Sequence, residues 1–487
     1  MRLTRSTLVL TVACVVPLVP ARVIAQQQAG AAASYELTTT SEVARTEYRR
    51  AVTDFVNTNP GAARRHAMKA VEADPNFGVA LALFARGGLS PDLSNADRNA
   101  AANRAVAATA NATAVEALIA LATREQIAGR GAVANEILKT AATLAPNDAD
   151  VQWLYYITQR GAAATPADAI RMDREFLSKF DYGPAHNLLA YVLFATGSRA
   201  EAYEELGKYV RSAPDQPNSH DTWADLLIME NRFDEAMRHS DGSLKLEPTW
   251  TATPMKAGAI QLAQNKPDSA RMSFARAREM SEFAAAKVDP SFWIATTYIV
   301  AHDVKSARRE MMAMESAVAS ANLPAGVQAL VHQRMALIEA YIGDKTAVAP
   351  HLAKAAEILG TQGAAGGNQT AIAAVSYAAL GDAAQAQANA DAFMKAAPNN
   401  AFGHTLQALA AITAKDYAGA SAHLSAGAAP PADLLSDELR AEVAKQQGKS
   451  ADAKAAKDAI MKRAIKADGG PGVDLAKLVA RLRAEKL

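Results

Sequence analysis

The chain has 487 residues, half of them hydrophobic, yet aromatics are only 6% and alanine fills much of the apolar share. Such a composition favours helices that approach closely over a core built from strands. With 51 basic and 50 acidic residues the formal net charge is +1, which removes any electrostatic ground for nucleic acid or an anionic membrane as partner.

The first predicted element is an export leader over residues 1–25. Arg2 and Arg5 precede an apolar run from Leu8 to Val19, and Val23-Ile24-Ala25 supplies compact residues for cleavage before Gln26. The run is too short to anchor the chain across a bilayer, so no stable membrane span is expected after cleavage. Cys14 is the single cysteine and lies inside this run. Cleavage therefore leaves a mature chain with no disulfide and no thiolate metal site, in a periplasmic or secreted location. A lipid anchor on Cys14 is the alternative, opposed by Thr11 where that signal prefers leucine and by the apolar run continuing past the cysteine.

Residues 26–40 are small and polar and read as a disordered spacer. Ser41 is a candidate helix cap, with Glu42 in the first turn. From there the sequence predicts helices of about 12–16 residues alternating with short turns. Turn signals recur at Asn59-Pro60-Gly61, Gly129-Arg130-Gly131, Gly197-Ser198, Gly343-Asp344, Gly381-Asp382 and Gly448-Lys449. No stretch has the strict alternation of a half-buried strand.

These helices repeat with a period of 34 residues. Segments ending in Pro146, Pro214, Pro248 and Pro398, and more loosely Pro75, each place a small residue about twelve positions earlier: Ala134, Ala202, Ala236, Ala386 and Ala63. Within 217–248, Trp223-Ala224 and Leu227 sit in the first helix, Asn231 at the turn, Phe233 at the start of the second helix and Ala236 at the crossing. Residues 183–214 match through Leu189-Ala190, Gly197, Ala202, Leu206 and Pro214. This pattern resembles the tetratricopeptide repeat (TPR), as found in exported bacterial proteins of that superfamily. The resemblance covers nearly all of 41–468. It implies an all-α, right-handed α-α superhelix of about ten or eleven antiparallel helix pairs. The Gly-rich stretch 360–368 is expected to be a joint between an array over 41–359 and a second over 369–468. After Gly469-Gly470-Pro471-Gly472, residues 473–487 form an amphipathic helix that closes the end of the array, so 469–487 is expected to be a capping segment.

Motifs for chemistry are weak. Gly448-Lys449-Ser450 lacks the earlier glycine of a phosphate loop, with Val443 in its place, and lies between helices rather than after a strand. His186 and His220 are one repeat apart, about 10 Å for packed helices, and so are not expected to share an ion. The other histidines show no zinc-hydrolase spacing, no catalytic residue is identified, and no cofactor or metal is called for.

The resemblance further implies that set positions of each first helix line the concave face. In the two clearest repeats these are Pro184, Asn187, Tyr191 and Phe194, then Asn218, Asp221, Asp225 and Ile228. An amide, an aromatic and two carboxylates one turn apart would grip a peptide or a cationic group, while Asn187 and Asp221 stand where lysine would hold a terminal carboxylate. The expectation is an exported, non-enzymatic scaffold that binds a protein or peptide. An enzyme or enzyme subunit acting on envelope polymers, through Asp221 and Asp225, is the alternative from another class.

Overall fold

The computed structural model describes residues 35–462 except 87–88, 90–92, 164, 322, 361–365, 399 and 428–433. The expected leader and the capping segment lie outside the described residues. Twenty-four α-helices and one short 3-10 turn follow one another, with no strand among the described residues.

The helices form twelve successive pairs. The first three are α1 (Glu42–Val56) with α2 (Pro60–Ala73), α3 (Gly78–Ala85) with α4 (Asn95–Ala108), and α5 (Ala114–Ile127) with α6 (Gly131–Leu144). Next come α7 (Ala149–Arg160) with α8 (Pro166–Leu177), α9 (Gly183–Ala195) with α10 (Arg199–Ser212), and α11 (Pro217–Met229) with α12 (Phe233–Leu246). The seventh to ninth are α13 (Ala252–Ala263) with α14 (Pro267–Met280), α15 (Val288–Val300) with α16 (Val304–Ser320), and α17 (Ala325–Ile342) with α18 (Lys345–Leu359). The last are α19 (Gly366–Ala379) with α20 (Ala383–Ala396), α21 (Ala401–Thr413) with α22 (Tyr417–Ala426), and α23 (Leu434–Gln446) with α24 (Ser450–Lys462). The pair α7–α8 is the one the sequence pattern does not mark. Its second helix ends without a following proline, and Pro166 opens that helix instead.

Local rules account for the boundaries. Ser41 caps α1 by accepting from the Ala44 N–H at 3.2 Å, and Thr113 with Glu116 forms a reciprocal capping box on α5. The five marked prolines each lie two residues beyond a second helix, where continuing the helix would cost a backbone hydrogen bond. Turns inside the pairs close through a left-handed residue, such as Gly197 at φ 93° and Asn231 at φ 59°.

At most junctions, including those from the eighth pair to the twelfth, the first helices of successive pairs pack on one another, and the second helices fit between two pairs. Ala63, Ala134, Ala202, Ala236 and Ala386 are all 0% exposed, as expected of residues at the close crossings. Gly258 takes the same logic further, since a Cβ there would lie 2.4 Å from the Phe274 ring.

Two sequence expectations change. Residues 35–40, expected in the disordered spacer, pack onto the array: Leu37 joins the core beside Tyr48 and Phe77, and Thr39 Oγ1 donates to Asp74 Oδ2 at 2.6 Å. The Gly-rich stretch does not divide the array into two bodies. One hydrophobic core runs from Leu262 through Val331, Leu337 and Val375 to Ile460, so α17 and α19 are bound by shared burial whatever the composition of the segment between them.

Candidate functional site: the inner face and the first helix pair

The expected contact residues on α9 and α11 are largely engaged by the protein itself. Asp221 and Asp225, one turn apart on α11, are 7% and 6% exposed rather than solvated. Lys256 from α13 reaches between them, with Nζ 2.5 Å from Asp221 Oδ1 and 3.0 Å from Asp225 Oδ1. Trp250 Nε1 donates to Asp221 at 3.0 Å, and the Tyr191 hydroxyl donates to Asp225 at 2.7 Å. Burial alone would lower the lysine's proton affinity, but the two carboxylates outweigh it and hold its pKa up to about 12. Burial, reinforced by Asp225, likewise pushes the Tyr191 phenol well above its ordinary value. A carboxylate pair fixed by a cation and two further donors is a structural clasp between three repeats. It offers no free base for acid–base chemistry.

The neighbouring residues follow suit. Ile228 is 2% exposed and belongs to the core with Leu227 and Ile260. Phe194 meets the edge of Tyr203 and lies under the Arg199 guanidinium. Asn218 donates to the Tyr209 hydroxyl at 3.0 Å, and that hydroxyl donates to Asn57 Oδ1 at 3.0 Å. Asn57 closes α1, so this chain of bonds joins the first pair to the fifth and sixth.

More contacts follow the same line. Gln216 Nε2 donates to Asp54 Oδ1 at 3.3 Å, and Arg65 on α2 pairs with Glu247 at 2.7 Å and Glu282 at 3.1 Å. The Arg64 guanidinium stacks over Phe283 at 4.6 Å. The α1 residues Tyr48, Val52 and Phe55 face Val79, Leu83, Ile119 and Leu154 from the first helices of pairs two to four, around a cavity of about 120 Å³. The first helix thus occupies the inner side of the array. The sequence did not reveal this, because the hydrogen bonds from the first pair to Tyr209, Gln216, Glu247 and Glu282 span 152 to 217 residues and break the nearest-neighbour rule of a repeat array.

One opening remains beside it. A cleft of about 260 Å³ lies between the end of α1 (Phe55, Val56, Thr58) and the first helices of pairs four and five (Trp153, Ile157, Asn187). Asn187 lines this cleft, and its side-chain oxygen is buried without a hydrogen-bond partner. Arg86 lines both openings and gives its hydrogen bonds to neutral partners, Gln126 Oε1 and Thr123 Oγ1, each at 3.2 Å. Burial holds its guanidinium below the ordinary arginine value. Ile157 is 38% exposed at the mouth. The cleft therefore combines apolar walls, a cation with neutral partners and an unsatisfied acceptor. Of the expected set, Pro184 and Asn187 line this cleft; Arg86 and Trp153 were not expected, and no periodic signal marks them.

No protein-family model matches the chain. No curated protein matches it either. Solved structures similar to it include the Cut9–Hcn1 hetero-tetramer of the APC/C, at 14% identity and a TM-score of 0.40, covering 81% of this chain and 75% of that one. Another is the C-terminal part of a TPR repeat-containing protein from Cytophaga hutchinsonii, at 12% identity and a TM-score of 0.30, covering 51% of this chain and 96% of that one. At these values the assignment of a tetratricopeptide-like array rests on the helix pairs and crossings described above. Among the described residues no helix is long and apolar enough to cross a membrane.

Proposed function

We propose that this protein is an exported scaffold that binds an extended segment of a partner protein in the cleft between α1 and α7–α9. The observation that carries the reading is the mixed lining of the cleft, in which Trp153 and Ile157 stand beside the Arg86 guanidinium and the half-buried Asn187 side chain. The half-buried Asn187 amide can exchange hydrogen bonds with the backbone of a bound chain, each worth about 0.5–1.5 kcal/mol. Arg86 supplies the complementary charge for a carboxylate side chain on that segment, and Trp153 and Ile157 give its apolar side chains a surface. The leader sequence supports export, with the partner met in the periplasm or outside the cell.

The test is a photo-crosslinking amino acid at Ile157, used in the native envelope and compared with one at Met272, which is 69% exposed on α14. A discrete adduct at 157 that is absent at 272 is expected, with the crosslinked peptide bearing an acidic residue. Asn187→Leu should weaken binding of that peptide about tenfold, or about 1.4 kcal/mol. Equal labelling from both positions would sink the proposal.

A further inference from the structure

Eight of the nine histidines share one structural position. His220 on α11 faces His239 on α12, and His332 on α17 faces His351 on α18, each pair 19 residues apart with Nδ1···Nδ1 at 3.4 Å. His404 and His423, at the same spacing in α21 and α22, stack with ring centroids 6.4 Å apart. In two other repeats the position pairs imidazole with carboxylate: His66 with Glu47 and His186 with Glu205, both at 2.5 Å. The crossing of the two helices in a pair is therefore where this chain repeatedly sets two metal-competent side chains face to face.

The geometry differs in kind between the two sets. Where a carboxylate stands opposite, it accepts the imidazole proton and the pair is satisfied. Where imidazole faces imidazole through Nδ1, a neutral pair holds one proton between two lone pairs. Two nitrogens bound at about 2.1 Å to one ion at the tetrahedral angle stand about 3.4 Å apart. The first two pairs already have that separation. All six rings are half-buried, so each pair is open to solvent on one side. At the third pair, His404 Nδ1 is buried with no hydrogen-bond partner. Glu315 from α16 adds negative charge beside the second pair, with Oε1 3.6 Å from His332 Nδ1.

We propose that the three histidine pairs are two-ligand binding sites for a divalent cation of the copper, nickel or zinc class. Imidazole suits these ions, and copper(II) binds most tightly in the divalent series. Among the described residues no group of three His, Cys, Asp or Glu side chains is arranged to enclose an ion. Each pair therefore supplies two nitrogens, and water completes the shell. Binding requires both rings to carry their proton on Nε2, so one ring of a neutral pair changes tautomer and one proton leaves a singly charged pair.

The test uses the mature chain without a purification tag, titrated with copper(II) and followed by paramagnetic resonance and tryptophan fluorescence. Three equivalents with two nitrogens per ion are expected. Trp223 stacks on His239 at 4.8 Å and 7°, so copper at the first pair should quench its emission. His239→Gln, His351→Gln and His423→Gln should each remove one equivalent, and only the first should abolish the Trp223 quench. His186→Gln should leave the stoichiometry unchanged. If a variant loses its helical circular dichroism, the unsubstituted protein decides: fewer than two nitrogens per ion, or an undiminished Trp223 emission at saturation, overturns the proposal. Stoichiometry unaltered in three folded variants overturns it equally.

Discussion

The two halves of the array are held together differently. From Leu262 to Ile460 one continuous apolar core passes through every pair. Before it, the core is broken into smaller clusters around Leu83, Trp153, Leu206 and Leu227. There, polar side chains bridge what apolar contact does not: Lys256 with Asp221 and Asp225, Tyr209 with Asn57 and Asn218, Arg65 with Glu247. A stack of repeats needs only burial between neighbours, but seating the first pair against the fifth to seventh needs directional bonds. The lesson is that a repeat array gains a closed inner face by long-range polar contacts, which its period does not encode.

The largest effect should come from the clasp. Lys256→Ala removes the one cation between two buried carboxylates and should cost about 3–5 kcal/mol. Hydrogen exchange should show lost protection in 183–263 while 325–460 keeps its own, and uniform loss along the chain would erase the contrast between the halves. The sign with pH follows from the lysine's raised pKa. Its contribution is present below the ordinary value of 10.5 and is lost as pH climbs through about 12.

Removing one hydroxyl is a finer probe of the closure. Tyr209→Phe leaves Asn57 and Asn218 without a shared partner and should cost about 1–3 kcal/mol. The exchange of amides in 42–57 should rise more than that in 199–212; the reverse order would mean that the first pair is held by burial alone.

The smallest change is at the surface. Arg65 is 40% exposed, so Arg65→Ala should cost only about 0.2–1 kcal/mol, and the difference should vanish in high salt. Thermal melts at two ionic strengths measure it, and a salt-independent loss would point to packing of the arginine stem instead.

Much of this fold was legible before any coordinates. The 34-residue period, the crossing alanines and the prolines gave the helix pairs and their boundaries, because each is a local requirement of stacking. The pair α7–α8 was missed for want of that punctuation. The Asp221/Asp225 patch was legible as a feature and misread as a surface, since the lysine that buries it comes from the next repeat.

The histidine pairs show where the boundary lies. Their 19-residue spacing is written in the chain, yet it acquires meaning only when two helices of one pair are folded face to face. Sequence alone determined which segments are helical and that they stack, because periodicity, caps and turn residues act over a few neighbouring positions. The tertiary structure decided which side chains meet: the seating of α1 on the inner face, the Lys256 clasp and the facing imidazoles. Those contacts depend on how the stacked pairs bring distant positions together, and no local pattern carries that.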